Sequence, residues 1–282
     1  MLGRDHHCRR EDAMESGFAL SEIDTTTAHP ARIYDALLGG QDNYLADREA
    51  VRKLLKIAPE ARYSARANRA FLQRAVRFLA GEAGIRQFID IGTGIPAAGN
   101  VHEVAGQVAP GTRVVYVDND PIVHVRANAL LTGTGATSIV LADLRDPQAI
   151  LAHPRLTALI DFTEPVALLL VAVMHFITDE ENPGQIIAVF RDALPAGSYL
   201  ALSHGTADLL PDAARQAAAV YDQTASTVTP RSRAQVTALF DGWDLIDPGL
   251  VQVPLWRPDG KPPRPRQLGR VWVYGGVARK NC

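Results

Sequence analysis

From Gln87 onwards, short apolar runs alternate with helical segments. This alternation narrows the fold more than any other feature of the chain. Strand-like runs fall at 88–91, 113–117, 138–141, 167–171 and 198–202, with helical patterns at 99–108, 121–131, 147–151 and 185–194 between them. Strands that alternate with helices form a parallel sheet covered on both faces. Right-handed crossovers then make that sheet doubly wound. The end of the chain breaks the rhythm. After helical stretches over 212–225 and 232–240, two strand-like runs at 243–253 and 271–277 are joined by the Pro-rich RPDGKPPRPRQ. No helix fits between them, so this pair is expected to be antiparallel, which gives seven strands in all.

The residues before the sheet divide in two. Residues 1–28 are polar and read as a flexible tail. Residues 29–85 read as a helical cap: one helix from Pro30 stopped by Gly39-Gly40, a second over 47–57, and a third over 65–81. Residues 86–282 then form the ligand-binding domain.

In an open parallel sheet, ligands bind outside the carboxyl ends of the strands. The first strand ends there in Gly92-Thr93-Gly94, before a helix whose N-terminus offers free N–H groups. The second strand ends at Asp118, where a carboxylate can accept both hydroxyls of a ribose. The third ends at Asp143, where a carboxylate can accept an exocyclic amine. Two ligands fit this set. Gly92-x-Gly94-x-x-Ala97 with Asp118 matches a loose dinucleotide fingerprint, hence an NAD-dependent oxidoreductase. Against it stand Pro96 inside the turn, Asp90 in the strand just before the glycines, and Asp143, which has no special role in the dinucleotide reading. No G-K-[ST] follows the glycines, which excludes a P-loop.

Composition excludes other classes. The chain has 282 residues with a formal net charge of −2, unlike a nucleic-acid footprint. The longest apolar run, 166–173, is too short to span a membrane, and the N-terminus lacks the apolar stretch of a signal peptide, so a cytoplasmic protein is expected. Cys8 and Cys282 form neither a disulfide framework nor a zinc spacing. His102-Glu103 lacks the second histidine of H-E-x-x-H, and no metal is expected.

Phe88-Ile89-Asp90-Ile91-Gly92-Thr93-Gly94 resembles motif I of class I S-adenosylmethionine-dependent methyltransferases. Asp118 is similar to their ribose-binding acid and Asp143-Leu144 to their adenine-binding motif. Residues 168–177 resemble the fourth motif, whose backbone after strand four, at Ala172 here, lies along the cofactor. The closing strand pair resembles the last two strands of that Rossmann-like fold, and the likeness covers about residues 86–280. The stretches ARIYDALLGGQDNYLADREA, Ala67-Asn68-Arg69-Ala70-Phe71, GNVHEVA, VYVDNDP and YGGVARK are similar to one bacterial family of methyltransferases of unassigned substrate. Ala97-Ala98 stands where that family has a single residue.

The resemblance implies S-adenosylmethionine as cofactor; with the near-neutral charge and the short apolar runs, a small-molecule methyl acceptor is expected, with no nucleic-acid or membrane partner. Gly92, Thr93, Gly94, Asp118, Asn119, Asp143, Leu144 and Ala172 are then cofactor residues, with Asp120 capping the following helix. Arg69 is placed to pair with the cofactor's carboxylate, since Arg binds carboxylates bidentately. The turn Gly39–Tyr44, including Asn43, reads as a lid over the methionine end. His175, after the fourth strand, is the candidate base or orienting group. Its alternative is a packed, hydrogen-bonded histidine. The acceptor pocket is expected between residues 39–44, His175 and residues 204–210. Methyl transfer needs no distinctive catalytic group, so a non-enzymatic cofactor-binding module stays open as an alternative.

Overall fold

A computed structural model of the chain describes residues 24–131 and 136–281. Cys8, Cys282 and most of the expected tail lie outside the described residues.

The strands are β1 (Gln87–Ile91), β2 (Arg113–Asp118), β3 (Thr137–Leu141), β4 (Ala167–Val171), β5 (Tyr199–Gly205), β6 (Asp244–Leu245), β7 (Val251–Gln252) and β8 (Val273–Arg279). Their order is β3-β2-β1-β4-β5-β8-β6, with β7 also paired to β8. The first five are parallel, and β8 runs antiparallel to β5, β6 and β7. The expected strand over 243–253 is split. The Ile246 N–H still pairs with the Val277 carbonyl, but the chain then turns at Gly249 (φ +78°) before β7 begins.

Both faces of the sheet are buried, and the period of two assigns residues to them. Ile89, Val115, Val117, Leu168 and Leu170 enter one core cluster; Phe88, Val114, Tyr116, Ala167 and Leu169 enter the other. The second face is covered by α3 (Ala61–Gly81) and α4 (Val101–Val108). On α3, Asn68, Phe71, Leu72, Ala75, Val76 and Leu79 are buried at helical spacing. The same period of two puts Asp90, Asp118 and Ser203 on this face, towards α3.

The cap is smaller than 29–85. It consists of α1 (Pro30–Leu38) and α2 (Leu45–Ile57), which share a cluster with the first turns of α3 and with α9 (Pro211–Tyr221). Most of α3 belongs to the sheet, because its apolar stripe is continuous with the core. Residues 24–28 are not a free tail. Ala28 is buried, its carbonyl accepts from Ala225 N, and Arg32 donates to the carbonyls of Asp24 and Thr27.

The remaining helices are α5 (Pro121–Leu131), α6 (Pro147–Ala152), α7 (Pro154–Thr157), α8 (Pro183–Ala193), α10 (Arg233–Ala238) and α11 (Pro265–Leu268). The last is a short turn inside the Pro-rich loop read from sequence as helix-free. Among the described residues, no helix is long and apolar enough to cross a membrane.

Candidate active site

The strand order reverses between β1 and β4, which is where a doubly wound sheet opens a crevice. A cavity of about 220 Å³ lies there and extends under α1 and α9. Gly92 (φ +70°) and Gly94 (φ +69°) both adopt the left-handed conformation that favours glycine. At Gly92 space is also short, since a Cβ would lie 2.5 Å from Val173 Cγ2 at the tip of β4. At Gly94 a Cβ would meet nothing within 4 Å, so the cavity is open beside it.

The acids hold the turn. Asp118 accepts from Gly94 N at 2.8 Å and from Asp120 N at 3.0 Å, one bond to each carboxylate oxygen. Burial nevertheless pushes its pKa up to about 7, against those two hydrogen bonds. Asp90 accepts from Thr93 Oγ1 at 3.0 Å, and burial raises it to about 6. Thr93 therefore braces the turn through Asp90.

Arg69 reaches over from α3 and donates to the Ala97 carbonyl and to Asn100 Oδ1 at 3.1 and 3.0 Å. Among the described residues its Nε is buried without a partner, a costly state for a charged donor. Asp120 caps α5 as expected, accepting from Ile122 N, and also pairs with Arg32 at 3.1 Å.

At the third strand end, Asn119 Nδ2 donates to Asp143 at 3.1 Å and Arg145 pairs with the same carboxylate at 3.2 Å. Burial pulls Asp143 up, but the bonds from Arg145 and Asn119 outweigh it and hold the carboxyl below its usual value. Leu144 is buried and gives the cavity an apolar wall. Arg145 also pairs with Glu181 and donates to the Phe176 carbonyl, linking this strand end to the one after β4.

That next segment carries a constraint the sequence reading missed. Ala172 has φ +58°, a strained value for a residue with a Cβ. A buried polar relay fixes it there. Ala172 N donates to Ser203 Oγ at 2.9 Å, Ser203 Oγ to Asn68 Oδ1 at 2.5 Å, and Asn68 Nδ2 to the Tyr34 hydroxyl at 3.0 Å; Tyr34 ends on the Ala65 carbonyl. A serine in the apolar run LALSHG, and an asparagine in the apolar stripe of α3, were the available signals.

His175 lines the cavity from the 3₁₀ turn Met174–Phe176. Gly205 N faces its Nδ1 at 3.4 Å, which leaves the proton of the neutral ring on Nε2. Burial, helped by Arg231, lowers its pKa to about 4. His175 is thus an uncharged donor near neutrality, not a strong base. Arg231 holds this turn by donating to the carbonyls of Met174 and Ile177 and to His204 Nε2.

Asn43 is not brought to the cavity. Its side chain donates to Asp35 and Gly40 and accepts from Arg48, so it ties together its own loop. The expected lid over 39–44 is misplaced with it. Tyr44 packs behind the glycine turn, with Ile95, Ile122 and Val123. The cap reaches the cavity through His29, Pro30, Ala31, Tyr34, Leu37 and Leu54 instead. Of residues 204–210, Gly205 and Thr206 line it. His102 pins α4 to β2 through the Tyr116 hydroxyl, and Glu103 caps α4 from Gly99 N and Asn100 N. Among the described residues, no group of three metal-ligating side chains occurs.

A family model described as S-adenosyl methyltransferase matches residues 16–281. The chain belongs to the S-adenosyl methyltransferase family. It is an S-adenosylmethionine-dependent methyltransferase, and the dinucleotide reading of its glycine turn falls. Two solved structures of similar proteins cover most of this methyltransferase. A DUF574-family protein from Streptomyces avermitilis MA-4680 is 45% identical over 92% of this chain and 100% of its own, with a TM-score of 0.89. A candidate methyltransferase from Thermobifida fusca YX is 40% identical over 92% of this chain and 96% of its own, with a TM-score of 0.86. No curated protein matches the chain.

The residues of the cavity fit this methyltransferase's cofactor. The unpartnered Arg69 Nε suits a carboxylate, the open side of Gly94 leaves room for a ligand, and each Asp118 oxygen keeps a lone pair for a hydroxyl.

Proposed function

We propose that this methyltransferase methylates a small molecule, which enters the same cavity from the side of α1 and α9. In this reading Arg69 pairs with the cofactor's carboxylate, and Gly92, Thr93 and Gly94 give it a close backbone approach. Asp118 accepts its ribose hydroxyls. Asn119, Asp143 and Leu144 bound the adenine, and the backbone of Ala172 runs beside it. When bound, the cofactor would supply an activated sulfonium methyl for transfer to the acceptor. The chain itself has only to align the acceptor, exclude water and let a proton depart.

The carrying observation is that one cavity runs from the glycine turn to Tyr221 and Trp272, beneath the cap. An acceptor held there lies on the same enclosed path as the methyl donor. His175, uncharged and with Nε2–H available, orients the acceptor by a hydrogen bond rather than taking its proton. The modest net charge of −2 gives no large field to attract a nucleic acid.

The test is incubation of the purified protein with methyl-labelled S-adenosylmethionine and a cell extract, followed by size separation. Label in the small-molecule fraction supports the proposal. Label confined to protein or RNA contradicts the acceptor class. No transfer at all, with cofactor still bound, favours a binding module.

A further inference from the structure

We infer that the acceptor is an uncharged aromatic molecule. The inference rests on the proposed function, because it concerns the acceptor end of the same cavity. Among the described residues, the charged side chains that line the cavity are Arg69 on α3 and Asp90, Asp118, Asp143 and Arg145 at or beside the ends of β1, β2 and β3, the residues that would hold the cofactor. His29, also on the wall, has its pKa lowered by burial, against the pull of Asp120, whose carboxylate lies 3.1 Å from its Nδ1. The other end has none. It is built by Leu37 and Leu54 of the cap, Ala217 and Ala218 of α9, and Val228 and Pro230 from the loop after it.

A charged acceptor buried there has no counter-charge on the protein. An unpaired ion in such a site is strongly disfavoured even after relaxation. A neutral molecule pays no such cost and gains from the apolar wall.

The aromatic character comes from four rings on the wall, Tyr34, Phe176, Tyr221 and Trp272. Phe176 and Tyr221 stand 5.8 Å apart between centroids at 56°, a tilted pair with an apolar face towards the cavity. Polar groups at this end are few and neutral. The Tyr34 hydroxyl is spent on Asn68 and Ala65, but the Tyr221 hydroxyl makes no hydrogen bond with a described residue, and burial raises its pKa, so it stays a protonated donor. With His175 Nε2–H, it offers a second neutral hydrogen bond. This is the donor set for one hydroxyl or ring nitrogen on a flat apolar body, as in a phenol or an N-heteroaromatic.

The test uses the full chain saturated with S-adenosylhomocysteine, which lacks the sulfonium charge, so that only the protein's electrostatics are read. Four probes of similar size are titrated by calorimetry: 2-naphthol, 2-naphthoate, 2-naphthylmethylamine as its cation, and decahydro-2-naphthol. 2-Naphthol is expected to bind about tenfold or more tighter than either ion, from the unpaired-charge cost. It should also bind tighter than its saturated analogue. Tyr221→Ala should reduce that preference for the aromatic ring, and Tyr221→Phe should weaken both alcohols, which lose a hydrogen-bond donor, with S-adenosylhomocysteine binding unchanged in both variants. Equal or tighter binding of either ion, or of the saturated alcohol, overturns the inference, as does failure of all four while S-adenosylhomocysteine binds. Failure of S-adenosylhomocysteine itself to bind would instead bring down the functional reading beneath it.

Discussion

Asp118 concentrates the argument at the scale of single residues. Burial pushes its carboxyl up to a pKa of about 7. Hydroxyl donors from a ribose favour the ionised form, so binding must lower this pKa and release a proton when the starting pH is below it. The affinity for S-adenosylhomocysteine is therefore predicted to rise by up to about tenfold per pH unit from pH 5.5 towards 7, then level off. Calorimetry in buffers of different ionisation enthalpy measures both the affinity and the released proton; a flat profile would contradict the role. His175 supplies the opposite case. Its pKa of about 4 leaves it neutral above pH 5, so methyl transfer should show no inflection near 6.5 from this group. His175→Asn, which keeps a donor, should retain more turnover than His175→Ala. Equal loss in both, or a rate that rises with a pKa near 6.5, would restore the base reading. At this scale Gly92, Gly94, Asp118 and Asp143 were legible because strand-end position and residue type suffice to place them. Asn43 was misread: its polar side chain in a glycine turn looks the same in sequence whether it faces a ligand or its own loop.

At the scale of elements, α3 and β5 meet through Asn68 and Ser203. That contact orients the Ser203 hydroxyl, which together with the Ser203 carbonyl accepts the N–H of Ala172, a left-handed residue at the tip of β4. Asn68→Ala leaves Ser203 and the Tyr34 hydroxyl each without one buried partner. It should cost about 2 kcal/mol of stability and weaken S-adenosylhomocysteine as Ala172 is freed. Ala172→Gly relieves the backbone strain and should restore up to about 1 kcal/mol of that loss in the double variant. Denaturant unfolding measures both; no recovery would mean that the relay does not act through Ala172. The alternation of strands and helices was readable because apolar period and glycine breaks are local signals. The split of the sixth strand and the Asn68–Ser203 relay were not, because each depends on partners distant in sequence; the short helix in the Pro-rich loop was hidden by its four-residue length.

Across the whole molecule, Arg231 ties the segment after α9 to the sheet tips. Its guanidinium is almost fully buried and reaches Met174, Ile177, His204 and Asp179. Arg231→Met should cost about 3 kcal/mol, the scale for breaking a buried charged network, and should loosen the turn that carries His175. A thermal midpoint within a degree or so of wild type would show that the staple is dispensable. The same scale decides how the chain divides. Sequence places the cap at 29–85, whereas packing gives most of α3 to the sheet and leaves α1 and α2 with α9 over the cavity.

The central claim is that an adenosyl sulfonium cofactor lies across the ends of β1, β2 and β3. Titration of S-adenosylhomocysteine into wild type, Asp118→Ala and Asp120→Ala tests it most directly. The account predicts single-site binding to wild type, a loss of about 2 kcal/mol or more in affinity for Asp118→Ala from its charge-assisted hydrogen bonds, and a smaller loss for Asp120→Ala, with no heat from NAD. Equal losses in the two variants, or binding of NAD in place of S-adenosylhomocysteine, would contradict it.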